Sequence, residues 1–454
     1  MIKLFGSSGI RGLVNNFLTP TLACKVGLAL ASHIKAKKAL VARDTRVSGH
    51  MIEDALVSGL LACGVKVTLI GVVPTPVLAY STMKLKADVG FMLTASHNPP
   101  QYNGIKIFDG TSLSYSDESQ DIIEKLISKN SYTLANWRQI STSSMADIAH
   151  FYIEMVQKTV SLRKNWRVVV DPGCGATFDI GPKLLKNSGC IVTSINAQPD
   201  GFFPARKSEP TAVSLMDLMQ IVKNANADIG IAFDGDGDRV AFVDEKGNLV
   251  DFDRSLAAYA AYSLKQSKGD TIATNVEASM CVETMTRNLG GKVIRTKVGD
   301  VYVSEAIKQY GAVFGGEPCG AWIHPRFHYC PDGPLSAILL LKALEEEEVS
   351  LHEFVSKVPE YVTLRENLNC SNDFKDKLVS KVEKNVEAEF PENTGFLKVD
   401  GVRLTLSSGW FLIRASGTEP LLRITVEGES LKAAKDIMKR VKILVRKQTK
   451  ELQK

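Results

Sequence analysis

Trp166-Arg167-Val168-Val169-Val170-Asp171 is a short run rich in β-branched residues that closes on an aspartate. A helical stretch follows at 180–187, and Gly189-Cys190-Ile191-Val192 then opens a second apolar run. Strand, helix, glycine, strand is the order of a βαβ crossover. Continuous β-branched runs suit strands covered on both faces, and a glycine suits the position just past a helix. The order recurs twice. Lys38-Ala39-Leu40-Val41-Ala42-Arg43-Asp44 leads through a helical stretch at 51–62 to Gly64-Val65-Lys66-Val67-Thr68-Leu69-Ile70. Asp270-Thr271-Ile272-Ala273-Thr274 leads through 280–288 to Gly290-Gly291-Lys292-Val293-Ile294. Three such units predict three similar α/β domains in tandem. One large doubly wound sheet is the other reading of the pattern.

After Pro359 the character changes to short alternating runs at 401–407, 410–414 and 421–427, then a basic helix at 430–452. This predicts a fourth, smaller α+β domain. The resulting division is 1–145, 146–250, 251–358 and 359–454. The polar stretch Gln139-Ile140-Ser141-Thr142-Ser143-Ser144 is expected to be the first linker. Glu345-Glu346-Glu347-Glu348 ends a helix that starts near Pro334, and is expected to form a solvated face.

Composition narrows the class. At 454 residues the chain has room for several cores, and 44% apolar with 23% charged residues excludes disorder. Fifty-five basic against fifty acidic side chains leave +5, too little to argue for nucleic acid or an anionic membrane. Uncharged stretches such as 55–65, and the longer 67–83, fall short of the roughly 20 residues a spanning helix needs. The N-terminus lacks the apolar block of a signal peptide. Eight cysteines without a CxxC pair read as reduced thiols, so a cytoplasmic protein is expected.

Four loops carry the chemistry. Val89-Gly90-Phe91-Met92-Leu93-Thr94 reads as a strand running into Ala95-Ser96-His97-Asn98-Pro99-Pro100, which puts a serine and a histidine at a strand's C-terminal end. Asn-Pro is also ordinary turn chemistry. Lys106 follows on the next strand, where cationic neighbours that lower its pKa would make it a general acid/base. In Asp234-Gly235-Asp236-Gly237-Asp238-Arg239, glycines between three carboxylates let the backbone wrap them around one hard cation. An EF-hand needs glycine where Arg239 stands, so a small octahedral Mg²⁺ fits better. Gly315-Gly316-Glu317-Pro318-Cys319-Gly320 presents one carboxylate on a loop. Arg414-Ala415-Ser416-Gly417-Thr418 offers a guanidinium, hydroxyls and consecutive N–H groups, a plausible phosphate nest to which Arg423 adds a second cation. His324 and His328 are separated by Pro325 and Arg326, which argues for a loop rather than a zinc-binding helix face. No P-loop, GxGxxG or GxSxG stands in the chain.

In this order the four loops resemble those of the α-D-phosphohexomutases, the family of phosphoglucomutase, phosphomannomutase and phosphoglucosamine mutase. Phe5-Gly6-Ser7-Ser8-Gly9-Ile10-Arg11-Gly12 fits as well, with Arg11 at the family's active-site arginine. The resemblance implies three similar α/β domains and a smaller C-terminal α+β domain around a central cleft. It implies Ser96 as phosphoryl carrier and metal ligand beside Asp234, Asp236 and Asp238. Lys106 becomes the proton acceptor and donor, with Arg11 and His97 stabilising charge on the transferring group. Arg239, Asp300, Glu317 and Cys319 become substrate-binding, and Arg414, Ser416, Gly417, Thr418 and Arg423 phosphate-binding. It further implies one Mg²⁺ per chain, a hexose 1,6-bisphosphate intermediate and activator, and hexose phosphates as partners, in a monomer or a homo-oligomer alike.

Cys319 stands where the family often has serine or asparagine, a better donor. Lys297-Val298-Gly299-Asp300 resembles the Val-Gly-Asp of phosphoglucosamine mutases, and Asp300 would pair with a 2-ammonium group. Its other reading is a cap for the helix before Ser304. The expected activity is therefore a phosphoglucosamine mutase, with phosphomannomutase or phosphoglucomutase as the alternative. A metal-dependent sugar phosphatase and a non-catalytic sugar-phosphate-binding protein are the readings from other classes.

Overall fold

The structure, a computed structural model, describes residues 3–6, 8–416 and 420–452. Four sheets follow one another along the chain. The first has seven strands in the order Phe5–Gly6, Gly9–Leu13, Tyr102–Asp109, Val89–Leu93, Lys38–Arg43, Lys66–Val72 and Ser143–Met145. The second runs Val240–Val243, Ile229–Phe233, Arg167–Asp171, Ile191–Ser194, and the third Lys292–Thr296, Thr271–Asn275, Phe314–Glu317, Ala321–Ile323. The fourth has five antiparallel strands, Val362–Asn369, Leu421–Gly428, Gly409–Ala415, Val402–Leu406 and Gly395–Leu397. Tandem sheets, not a single doubly wound one, are what the three βαβ units build.

Those units form as the pattern predicts. Helices Gly49–Ala62, Ile180–Asn187 and Cys281–Arg287 each cross between parallel neighbours. Gly64, Gly189 and Gly290 follow them at φ +78°, +91° and +74°, the left-handed exit that only glycine adopts without strain.

The topology has a feature that the separate motifs do not reveal. In each of the first three sheets one parallel strand turns back into an antiparallel partner: Val89–Leu93 into Tyr102–Asp109, Ile229–Phe233 into Val240–Val243, Phe314–Glu317 into Ala321–Ile323. The connections are the serine loop, the aspartate loop and the Glu317 loop. The Arg414 loop likewise joins Gly409–Ala415 to Leu421–Gly428. All four motifs lie between consecutive antiparallel strands.

Two expectations need correction. Residues 143–145 do not form a linker but pair parallel with Lys66–Val72 as the seventh strand. Their side chains are exposed because the strand lies at the sheet edge, so hydrophobic alternation could not betray it. Glu345 is not solvated either. It accepts from the Arg163 and Lys164 backbone N–H groups and from Trp166 Nε1, and is 8% exposed. Glu346 takes the Tyr262 hydroxyl and Glu347 the Lys265 ammonium.

One apolar core runs without interruption through the first three sheets, from Leu40 and Tyr80 through Tyr152 and Phe233 to Trp322 and Leu341. The fourth sheet closes on a core of its own, around Val382, Phe411 and Leu444. Among the described residues no helix is long and apolar enough to cross a membrane.

Candidate active site

Ser96 sits two residues past Thr94 in its hairpin loop, at φ +50°. A left-handed backbone at a non-glycine residue costs energy and persists only where neighbours enforce it. Here they do. Thr94 Oγ1 accepts from Ser96 N (2.8 Å) and donates to Asp44 Oδ2 (2.7 Å), and Asp44 holds Arg46 Nε (2.9 Å). The Arg46 guanidinium, fully buried, then donates to the carbonyls of Ser96, Asn98, Pro99 and Tyr102. The result is a serine, 1% exposed, whose hydroxyl donates to Asp234 Oδ2 over 2.6 Å.

The aspartate loop is fixed from three sides. Asp234 Oδ1 accepts the N–H groups of Gly237 and Arg239. Arg206 pairs with Asp171 and donates to Phe233 O (2.7 Å). A Cβ at Gly235 would collide with the Ser96 carbonyl oxygen, so only glycine lets the serine and aspartate loops close on each other. Gly320, at φ +84°, plays the same part toward Val240 and locks the Glu317 loop onto this one.

Lys106 Nζ lies 2.7 Å from Asp236 Oδ2 and also contacts Asp238 Oδ2. Burial alone would lower this lysine, but the two carboxylates raise it above the ordinary lysine range. That corrects the expected cause: its close neighbours are anions, not cations. Burial alone would raise Asp236, yet the Lys106 ammonium and the Thr75 hydroxyl (2.6 Å) hold it low. Burial and the other two carboxylates push Asp234 well above the ordinary range.

The trio fits a cation. One oxygen from each of Asp234, Asp236 and Asp238 lies within 4.8 Å of the others, and the Oδ1 atoms of Asp236 and Asp238 are buried with no hydrogen-bond partner among the described residues. Buried unpaired carboxylate oxygens are costly unless something positive meets them.

His97 Nδ1 is 3.4 Å from Ser96 Oγ, and burial, helped by Arg239 and Arg11, pushes its imidazole down to about 2, so it is neutral at pH 7. Arg11 lies on Gly9–Leu13 with a buried Nε that meets no acceptor among the described residues. Glu317 Oε1 accepts from Asn275 Nδ2 (2.7 Å) and Gly299 N (2.8 Å). Burial, and then nearby Asp300, raise its carboxyl. The Asp300 carboxylate does not cap its helix: Gly299 is the N-cap, and Asp300 Oδ1 takes the Ser8 hydroxyl instead (3.2 Å). Cys319 is half-buried, and desolvation lifts its thiol to about 12. His324 and His328 bond separately, to Ser336 and Asp332.

In the described part of the fourth loop, the arginine is paired with carboxylates. Arg414 Nη2 pairs with Glu277 (2.8 Å) and Nη1 with Asp400 (3.1 Å), so both of its terminal nitrogens meet carboxylates. Arg423 stands opposite it on the partner strand, and Lys375 Nζ donates to Ser416 O. Gly417 and Thr418 lie outside the described residues.

Ser96, Lys106 and the three aspartates are thus one cluster, with Arg239 and His97 at its rim. Sequence reasoning missed Asp44, Arg46, Arg206, Ser208 and Glu209. The signal available was charge in loops otherwise built of turn residues, as in Asp44-Thr45-Arg46.

This arrangement of sheets and hairpin loops is that of an intramolecular phosphotransferase, an isomerase of hexose phosphates. The chain belongs to the phosphoglucomutase/phosphomannomutase family: its α/β/α domains I, II and III match residues 2–133, 150–247 and 251–361, and its C-terminal domain matches 366–444. The chain is 43% identical over 436 residues to the probable phosphoglucosamine mutase of Methanosphaera stadtmanae, covering 94% of this chain and 95% of that one. It is 42% identical over 454 residues to the probable phosphoglucosamine mutase of Methanopyrus kandleri, covering 100% of both. Among solved structures, a phosphoglucomutase/phosphomannomutase family protein from Burkholderia thailandensis aligns with a TM-score of 0.89 at 28% identity, over 98% of each chain.

Proposed function

We propose that the chain interconverts the 6- and 1-phosphates of glucosamine through a phosphorylated Ser96 and a hexose 1,6-bisphosphate intermediate. The observation that carries this is the buried Ser96 hydroxyl, held in a left-handed backbone 2.6 Å from Asp234 and facing a carboxylate trio with unpaired oxygens. Asp234, Asp236, Asp238 and the Ser96 oxygen would hold one Mg²⁺, for which hard oxygen donors are suited. When bound, Mg²⁺ supplies positive charge that offsets the negative charge of phosphoryl oxygens.

The chain's own residues do the rest by positioning and electrostatics. Ser96 carries the phosphoryl group and gives it to the free sugar hydroxyl; the bisphosphate turns over and returns its other phosphate to Ser96. Lys106 holds the proton exchanged at the reacting hydroxyl. Arg11, His97 and Arg239 face the group in transfer. Glu317, with Cys319 beside it, grips ring hydroxyls, and Arg414, Ser416, Gly417, Thr418 and Arg423 hold the resting phosphate. Asp300 and Glu317 form an acidic pair suited to a 2-ammonium group, which favours glucosamine phosphate over the mannose and glucose phosphates. Eight free thiols suit a reducing, cytoplasmic setting.

A coupled assay with glucosamine 6-phosphate, mannose 1-phosphate and glucose 1-phosphate, with phosphate release followed in parallel, tests this. Mutase turnover fastest on glucosamine phosphate is expected. Phosphate release matching turnover would make the protein a sugar phosphatase instead. Intact-mass analysis should show one phosphate, lost in Ser96→Ala; wild-type turnover by that variant would overturn the mechanism.

A further inference from the structure

Residues 206–209, Arg-Lys-Ser-Glu, run past both the serine loop and the aspartate loop without belonging to either. Arg206 holds the strand end that leads into the aspartate loop, through Asp171 and Phe233 O. Ser208 Oγ donates to the carbonyls of His97 (2.8 Å) and Asn98 (3.2 Å) on the serine loop. Glu209 then sets its two oxygens on different side chains. Oε1 lies 3.3 Å from Arg239 Nη1, and Oε2 lies 3.7 Å from His97 Nε2. The other imidazole nitrogen is the one that faces Ser96 Oγ, at 3.4 Å.

We propose that Glu209 is a positioning residue for phosphoryl transfer, holding His97 of one loop and Arg239 of the other in a fixed relation to Ser96 Oγ. This rests on the reading of Ser96 as the phosphoryl carrier. A carboxylate beside Nε2 orients the imidazole ring whose other nitrogen faces the serine oxygen. The same carboxylate neutralises and orients the Arg239 guanidinium, whose side chain is 18% exposed. The backbone that carries Glu209 is pinned, because the Ser214 hydroxyl donates to Glu209 O (2.7 Å) and Ser208 is tied to the serine loop. The Glu209 side chain is 41% exposed, so its ion pair contributes little to folding stability. Its consequence is expected in the rate.

The test uses Glu209→Ala, Glu209→Gln, His97→Ala and the double variant Glu209→Ala/His97→Ala in the full-length Mg²⁺-loaded protein. Turnover is measured on whichever of the three hexose phosphates the unmodified chain uses best. Glu209→Ala should lower kcat by about ten- to a hundredfold, the effect of removing one charge-assisted hydrogen bond beside a reacting centre, with KM and Tm close to the unmodified values. Glu209→Gln keeps an acceptor for Arg239 and should recover part of the loss. The double variant should lose less than the product of the two single losses, because Glu209 acts in part through His97. Fully multiplicative losses, or wild-type kcat in Glu209→Ala, would overturn the assignment. So would a lower KM at unchanged kcat, which would mean that Glu209 competes with substrate for Arg239. An unmodified protein that turns over none of the three sugars would refute the reading of Ser96 itself, a different result from any of these.

Discussion

Arg414 Nη2 lies 2.8 Å from Glu277 Oε1, which ties the arginine of the fourth sheet's hairpin to the turn after Thr271–Asn275 in the third sheet. Two residues before Glu277, Asn275 donates to Glu317. The loop proposed for phosphate and the loop proposed for the sugar are thus joined through one short segment. A sugar phosphate that takes Arg414 competes with two carboxylates for its charge. Glu277→Gln should therefore lower the KM for hexose phosphate by about two- to fivefold, the worth of a partly exposed ion pair. An unchanged or higher KM in steady-state kinetics would show that the pair assists binding instead.

Lys106 and Asp236 are partners, but their losses should differ. Lys106→Ala removes the proposed proton carrier and should lower kcat by roughly 10²–10⁴ without raising the Mg²⁺ requirement. Asp236→Ala removes a proposed metal ligand and should shift the Mg²⁺ activation curve to much higher concentration. Metal titrations of both variants check this. Rescue of Lys106→Ala, but not of Asp236→Ala, by added Mg²⁺ would reverse the two roles.

Asp300 and Glu317 form the acidic pair invoked for the amino sugar. Asp300→Asn should reduce kcat/KM on glucosamine phosphate by about one to two decades, the value of a charge-assisted hydrogen bond, and reduce glucose and mannose phosphate less. The carboxylate does not cap its helix, so Tm should barely move. Equal losses on all three sugars would remove Asp300 from substrate choice.

Asp253 gives a pH prediction away from the chemistry. Burial lifts its carboxyl from 3.8 to about 7, although the Ser279 N–H (2.7 Å) works against the shift and Asp251 and Glu427 add to it. Between those two values the folded chain keeps a proton that the unfolded chain has lost, so stability declines as pH rises through the window and levels off above about 7. Asp253→Asn should remove that decline. Its Tm relative to the unmodified protein should rise from pH 4 to 7 in parallel melts; a constant difference would place the titration elsewhere.

What could be read from the sequence was what is local in it. The βαβ units, the serine loop and the aspartate loop each lie within a few consecutive residues, and their glycines mark the turns. Contacts between distant parts of the chain left no such mark. Arg46 serves carbonyls some fifty positions away, and Glu209 reaches His97 across more than a hundred. Glu345 resembled any acidic helix end until Trp166 and two backbone N–H groups folded onto it. The anionic surroundings of Lys106 left no local mark either, because Asp236 and Asp238 lie 130 and 132 residues downstream.

The division of the apolar core has a calorimetric consequence. Residues shared by the first three sheets cannot be exposed in one sheet while the others stay closed, so those three should melt in a single cooperative transition. The fourth sheet has its own interior. It meets the third through an apolar contact of Val276 with Trp410 and Leu412, and through polar bonds that include Arg403 to the carbonyls of Val276 and Ala278, Met280 N–H to Glu427, Val298 N–H to Asp400, and the Arg414–Glu277 pair. Scanning calorimetry should then resolve two unfolding units along a chain that repeats its α/β plan three times. The C-terminal unit then unfolds separately from the three that share an interior, and the order of the two transitions reports how much the polar bonds at the junction contribute.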